Sequence, residues 1–320
     1  MAALTLFGFH WPAEYLVRNT PGKGRLTFLS LDLTSRCCAR CLYCFSAPEL
    51  GHEPERPLSL REYQGLIEQA RVLGLKTVAY PGVGEPLLDP KIGGLIEYAT
   101  RRGVASVIYT CGLISPETLT FLRRHDVTLI LKVDTLCPKT YERLVGVPFA
   151  RFRESLERIL HAYSGSSEAV DGLTLTHLAA NTVVTRLNKQ HVGAVADLCE
   201  QHGVAHFVET LSKVGGAEEH WDELVGEELA QLLEVAALHG HWVSSATLDG
   251  RCGLYAHGIT IDVNGDLLAC PTARWIRLGN VREHSLRELI ALRNRAFPDV
   301  AEHYCAARAL TVGVDVADPV

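Results

Sequence analysis

Residues Leu26–Cys44 read LTFLSLDLTSRCCARCLYC. The first part, Leu26–Leu33, is a short apolar run of the kind that forms a buried strand. The second part sets Cys37, Cys41 and Cys44 in a Cys-x3-Cys-x2-Cys run directly after that strand. Three thiolates on one short loop can hold an iron–sulfur cube and leave one iron without a protein ligand. An open iron is what a small chelating cofactor needs. The competing reading of this spacing is a three-cysteine zinc loop with a distant fourth ligand.

Outward from this stretch, strands and helices alternate. Ser59–Leu73 has apolar residues at helical spacing, with Ser59 placed to cap it. Strands are predicted over Lys76–Tyr80, Ala105–Thr110, Val127–Val133, Thr174–Thr185 and Ala205–Glu209. Helices are predicted over Pro90–Arg102, Pro116–Arg124, Arg153–Tyr163 and Val192–His202. Six such units in a row imply a parallel sheet covered by helices, an α/β fold with its active site at the carboxyl ends of the strands. After Thr210 the pattern changes. Lys213–Ala217 reads as a linker and Glu227–Leu238 as an amphipathic helix. Gly258–Ala269 alternates around Asn264-Gly265, a hairpin signal because both residues tolerate positive φ. Ser285–Arg295 is the last predicted helix, and a tail begins at Thr311.

The chain has 320 residues, ten cysteines and a formal charge of −6. At roughly 150 residues per domain, the length favours about two domains. Composition is that of a globular protein, which excludes a disordered or collagen-like chain. No basic cluster marks a nucleic-acid surface. Met1–Pro12 has no basic start, and His10 and Trp11 break its apolar run, so it does not read as a signal peptide. No uninterrupted apolar stretch is long enough for a membrane span. The expectation is a cytoplasmic protein whose clustered cysteines serve metal or redox chemistry.

The Cys37/Cys41/Cys44 run, with Tyr43 just before its last cysteine, resembles the signature of radical S-adenosylmethionine (SAM) enzymes. Cys38-x2-Cys41-x2-Cys44 fits that family less well than Cys37 does. The resemblance runs on at successive strand ends for about 180 residues of sequence. Gly84-Glu85-Pro86 resembles the segment that holds the methionine amino group. Thr110-Cys111-Gly112 resembles the family's Thr-Asn-Gly, with cysteine for asparagine. Lys132 and Asp134 stand where the family binds ribose or carboxylate, and Asn181–Asn188 resembles the fifth-strand segment. The resemblance implies a partial (β/α)6 barrel and a 4Fe–4S cluster that reduces SAM. A 5′-deoxyadenosyl radical then takes hydrogen from the substrate. A reducing partner such as flavodoxin or ferredoxin is implied as well.

Cys252, Cys270 and Cys305 surround the C-terminal hairpin. This arrangement resembles a twitch domain, whose cysteines hold an auxiliary 4Fe–4S cluster. His303 or Cys199 would then be conceivable fourth ligands, because Arg308 stands where a further cysteine is common. The divisions expected are an extension over 1–25, the barrel over 26–212, a linker and helix over 213–245, the twitch domain over 246–310 and a tail over 311–320. Among twitch-bearing relatives, an aminoglycoside-type sugar epimerase is the leading expectation. The acidic balance fits a cationic sugar, and Asp134, Glu209, Glu218, Glu219 and Asp249 are candidate acids facing it. An epimerase needs a thiol that returns hydrogen. Cys252 is the first choice, unless it holds iron, and Cys111 and Cys137 come next. The alternatives are a dehydrogenase of an aminocyclitol, with the auxiliary cluster as electron acceptor, and a peptide-modifying enzyme.

Overall fold

The computed structural model describes residues 4–9, 26–54, 56–170, 173–239, 242–243, 258–272 and 274–296. Cys252, Asp249, His303 and Cys305 lie outside the described residues.

In chain order, β1 (Leu4–Leu6) and β2 (Phe28–Leu31) precede helix α1 (Leu60–Val72). Then come β3 (Thr77–Tyr80), α2 (Ile92–Thr100), β4 (Ala105–Thr110), α3 (Pro116–Arg124) and β5 (Thr128–Lys132). Two helices stand in succession after β5, α4 (Pro138–Val145) and α5 (Phe149–Tyr163). Next are β6 (Glu168–Val170), β7 (Leu173–Thr176), β8 (Leu178–Val184), α6 (Val192–His202) and β9 (Ala205–Thr210). The remainder holds α7 (Leu229–His239), β10 (Trp242–Val243), β11 (Gly258–Ile261), β12 (Asp266–Leu268), β13 (Arg277–Asn280) and α8 (Leu286–Ala296).

Strands β9, β8, β5, β4, β3 and β2 lie side by side in that order, all parallel, and their flanking strands do not pair with each other. The expected six-unit α/β sheet is therefore present and open. Burial explains its sequence pattern: β2, β3 and β8 are buried at every position, so they read as continuous apolar runs rather than alternating ones. Helix starts follow their caps. Ser59 Oγ accepts the Glu62 N–H at 3.2 Å while Glu62 accepts the Ser59 N–H at 2.8 Å, a reciprocal cap that sets the first turn of α1. Tyr63, Leu66, Ile67 and Ala70 then face the core.

The structure corrects the expectation of one continuous fifth strand. The fifth strand, predicted as one piece over Thr174–Thr185, is broken at His177. Its first part, β7, leaves the main sheet and pairs with β6 and, in parallel, with β1. Residues 4–9, read as part of an extension, enter the fold through this small sheet. Leu6 is buried with Val107, Ile130, Ala179 and Ala205 from four barrel strands. The Gly8 carbonyl accepts the Thr77 hydroxyl at 2.7 Å. This segment plugs the amino-terminal end of the open barrel.

The hairpin turn also differs. Only Gly265 has positive φ (90°). The Asp262 carboxylate organises the loop by accepting the N–H groups of Asn264 (2.9 Å) and Asp266 (2.8 Å). Asp262 O accepts the Gly265 N–H at 3.0 Å, a type I turn followed by a left-handed glycine. The hairpin is not a separate layer either. Strand β11 pairs in parallel with β2, Gly258 opposite Phe28 and Ile261 opposite Leu31, so the main sheet continues into β11, β12 and β13.

His177 joins the two sheets. Its ring stacks on Phe7 at 4.5 Å between centroids, and its Nδ1 lies 3.2 Å from the Thr128 hydroxyl. Burial holds its pKa below the ordinary value. The folded chain thus binds this proton more weakly than the unfolded chain. Its contribution is full above about pH 6.5 and is lost as pH falls below that. Urea midpoints of wild type and His177→Gln are expected to diverge with this sign: wild type loses stability on acidification more steeply than the variant. Parallel pH curves would contradict the assignment.

Candidate active site

The segments proposed from sequence to surround the first cluster lie at the same, carboxyl, end of the parallel sheet. The Cys37–Cys44 loop follows β2, Gly84-Glu85-Pro86 follows β3, and Cys111-Gly112 follows β4. Asp134 follows β5, and Asn188 ends the turn after β8.

The thiol loop is held from several sides. Arg40 and Leu42 donate their N–H groups to the Val145 and Leu144 carbonyls, each at 2.9 Å, so helix α4 buttresses the loop. Gly84 donates to Thr34 O at 2.9 Å and Glu85 to Arg36 O at 2.8 Å. This contact explains why position 84 is glycine: a Cβ there would lie 2.1 Å from the Arg36 carbonyl oxygen. On another side, Gly216 donates to Cys44 O at 2.8 Å. A Cβ on Gly215 would lie 2.3 Å from Phe45 O. The stretch read from sequence as a linker therefore seats the end of the thiol loop. Its Gly-Gly pair was the available signal, and sequence reasoning passed over it. Ser46 was missed as well: its hydroxyl lies 3.2 Å from Cys44 Sγ and donates to Val83 O at 2.7 Å.

A buried polar network lies beneath the loop. The Tyr43 hydroxyl, held protonated by burial beside Asp134, donates to Asp134 Oδ2. The other oxygen of Asp134 accepts the Val183 N–H at 3.0 Å. Lys132 Nζ stands 3.6 Å from Asp134 and 4.4 Å above the Tyr43 ring. Burial lowers the Lys132 pKa, but Asp134 and Cys41 outweigh it and the net shift is upward, which keeps the ammonium charged. Asn188 is wholly buried, donates to the Asp134 and Val183 carbonyls and accepts from Thr185. Asn181 donates to Glu209 at 3.1 Å, and burial raises the Glu209 pKa. Asp134 and Asn188 thus already serve the framework that ties the thiol loop to β5 and β8. Removing the Tyr43 hydroxyl strips a donor from a buried carboxylate. Tyr43→Phe is expected to cost about 1–3 kcal/mol in chemical denaturation. No measurable loss would mean that Lys132 and the Val183 N–H satisfy Asp134 without the phenol.

Glu85, 5% exposed, accepts the Cys111 N–H at 2.8 Å and the Leu87 N–H at 3.2 Å. Burial pushes its pKa up against those two bonds. Thr110 Oγ1 accepts the Gly112 N–H at 3.1 Å, shaping the turn at φ 83°. Cys137 begins α4, Cys199 is buried in α6, and Glu218 and Glu219 lie in a short helical turn beyond β9. Cys270 is buried beside Ala269 and Ile276, with Thr272 Oγ1 3.0 Å from its sulfur.

The donor set of the loop fits an iron–sulfur cluster. Cys37, Cys41 and Cys44 are free thiols. Two sulfurs on one zinc lie at most about 4.6 Å apart, from Zn–S bonds near 2.3 Å. These three do not converge in that way: among the described residues, the group whose ligand atoms all lie within 4.8 Å is Cys38, Glu85 and Cys111.

Residues 31–177 match the family model described as the Radical SAM superfamily. That segment reads as a radical SAM domain. Mycofactocin maturase MftC of Mycobacterium ulcerans (strain Agy99) is 27% identical to it over 265 residues, covering 77% of this chain and 68% of its own. PqqA peptide cyclase of Streptomyces rochei is 28% identical over 189 residues, 57% of this chain and 47% of its own. In structure, Streptococcus suis SuiB bound to its precursor peptide SuiA aligns with a TM-score of 0.66 at 18% identity, covering 87% of this chain and 67% of that one. That last likeness is one of fold. Among the described residues no helix is long and apolar enough to cross a membrane.

Proposed function

We propose that this chain is a radical SAM enzyme that modifies a peptide. The observation that carries the peptide reading is the likeness, over more than half of the chain, to a relative named a peptide cyclase. The longer likeness to a maturase supports it. Cys37, Cys41 and Cys44 would hold the 4Fe–4S cluster. Gly84, Glu85, Pro86, Thr110, Lys132, Asp134, Asn181 and Asn188 surround the place for SAM. When bound, the cluster and SAM supply the radical chemistry. The protein's own part is to hold the loop rigid through α4, Gly84 and Gly216, to keep Lys132 charged beside it, and to bury the strand ends from water. Cys270, with Cys252 and Cys305 outside the described residues, is proposed to hold an auxiliary cluster. About eight irons per chain would then be found after anaerobic reconstitution, and about four would remove that assignment. A flavodoxin or ferredoxin is the proposed electron donor.

The second reading is the aminoglycoside-type epimerase, of which neomycin C epimerase is an example. It draws on the free thiols of Cys111 and Cys137 at strand ends on the site's face. Neither MftC nor PqqA cyclase bears on aminoglycosides. One experiment separates the two. The reconstituted chain is supplied with SAM, a reductant and deuterated water, first with candidate precursor peptides and then with a panel of aminoglycosides. A SAM-dependent change in a peptide's mass or connectivity supports the lead reading. An inverted sugar carbon carrying deuterium, with the peptides untouched, overturns it.

A further inference from the structure

Cys38 plays no part in the Cys-x3-Cys-x2-Cys spacing, yet it sits inside the loop where it can compete with Cys37 for metal. Its sulfur lies 3.2 Å from that of Cys111. Cys38 is exposed, Cys111 is 8% exposed, and both are free thiols. The two residues belong to different elements, the thiol loop after β2 and the end of β4. Glu85 completes the cluster in space. Its two oxygens accept the Cys111 and Leu87 N–H groups, which holds the end of β4 beside the loop.

We infer that Cys38 and Cys111 are a redox pair whose disulfide locks the thiol loop in the register that leaves Cys37, Cys41 and Cys44 free for metal. The sulfurs need to close from 3.2 Å to about 2.05 Å, a movement within the reach of an exposed side chain on a loop. The neighbouring thiol, Cys37, is a poorer partner. Adjacent Cα atoms are about 3.8 Å apart, below the roughly 4.4–6.8 Å span of ordinary disulfides. The step is thiol–disulfide exchange with a low-molecular-weight disulfide. The Cys38 thiolate attacks it and releases one thiol. The Cys111 thiolate then attacks the mixed disulfide and releases the second. Two protein thiols are oxidised, one small disulfide is reduced to two thiols, and no other reactant is needed. The bond withdraws Cys38 from the metal-binding contest and pins the loop to β4 before a cluster arrives. A reductant returns both thiols.

The inference rests on the reading of Cys37, Cys41 and Cys44 as the cluster loop, so its test uses the metal-free chain and reads sulfur chemistry alone. The full chain, stripped of metal by a chelator, is treated with glutathione disulfide. Remaining thiols are alkylated, and the digest is mapped by mass spectrometry. The expected result is a Cys38–Cys111 cross-linked peptide, with Cys37, Cys41 and Cys44 alkylated, and full reversal by a reductant. Cys38→Ser, at an exposed position, should remove the cross-link and leave Cys111 alkylated. Alkylation of Cys38 at full yield in the wild type overturns the proposal. So does a bond among Cys37, Cys41 and Cys44, or retention of one zinc by Cys38 and Cys111. Failure of the cluster reading would appear instead as absent iron uptake, which this map does not score.

Discussion

Cys37→Ala is expected to empty the thiol loop of iron, and Cys38→Ala is expected to leave its iron content unchanged. The two cysteines are neighbours, so nothing in composition or hydropathy separates them. Geometry does. Cys38 Sγ faces Cys111 at 3.2 Å, and with Glu85 the two form a group whose ligand atoms all lie within 4.8 Å of one another. Cys37 Sγ accepts the Ala39 N–H at 3.4 Å, a bond that shapes the loop around it. Losing one of three protein ligands is a larger insult than losing an outer-shell partner, which costs roughly 10–100-fold in metal affinity. SAM cleavage should fall with the iron. Iron and sulfide per chain after anaerobic reconstitution, with absorbance near 400 nm as a quick guide, read the outcome. Iron lost from Cys38→Ala and kept by Cys37→Ala would reverse the assignment of the ligands.

Arg274→Met is expected to destabilise the fold by about 3–5 kcal/mol. Arg274 comes from the segment after the hairpin and is 6% exposed. Its Nη1 donates to Asp32 Oδ2 at 2.8 Å, and its Nε pairs with Glu49. Asp32 stands at the end of β2, 1% exposed, and Glu49 lies in the turn just beyond the thiol loop. One guanidinium thus offsets a buried carboxylate and clamps three segments together. Methionine fills similar space and leaves Asp32 as a buried charge with no cation. That cost is greatest at neutral pH and shrinks on acidification, because burial already favours the protonated form of Asp32 and the variant removes what opposed it. Urea unfolding of wild type and variant at pH 5.5 and 7.5 tests both parts. A loss below about 1 kcal/mol at pH 7.5 would place this pair with weak surface bridges.

The parts legible in the sequence were those dictated by local signals. Helix α3 matches its predicted bounds, Pro116–Arg124, and Ser115 caps it in the structure. Helix α6 also matches its predicted bounds, Val192–His202, and Gly203, at φ 61°, stops it. Helix α4 was missed although Pro138 and Gly146 bracket it, since eight residues give too little periodicity to see. The break at His177 was invisible for a different reason. What pulls β7 away from β8 is pairing with β1, far off in sequence. The same division holds for the site. Its cysteine spacing and the order of its strand-end segments were readable. The engagement of Asp134 by Tyr43 and Val183, and of Glu85 by two backbone amides, belongs to tertiary packing. Three of the C-terminal residues assigned from sequence, Cys252, Cys305 and Asp249, lie outside the described residues.

The parallel pairing of β11 with β2 governs the order in which this protein can mature. Phe28–Leu31, the strand that launches the thiol loop, has β3 on one side and Gly258–Ile261 on the other. During synthesis the first neighbour is available early, whereas the second emerges only after most of the chain has been made. Contacts between such distant segments form late and slowly. Asp32 and Glu49 wait equally long for Arg274. A nascent chain therefore exposes its cysteine loop half-supported for much of translation, and the loop gains its full framework only once Gly258–Ile261 and Arg274 are in place.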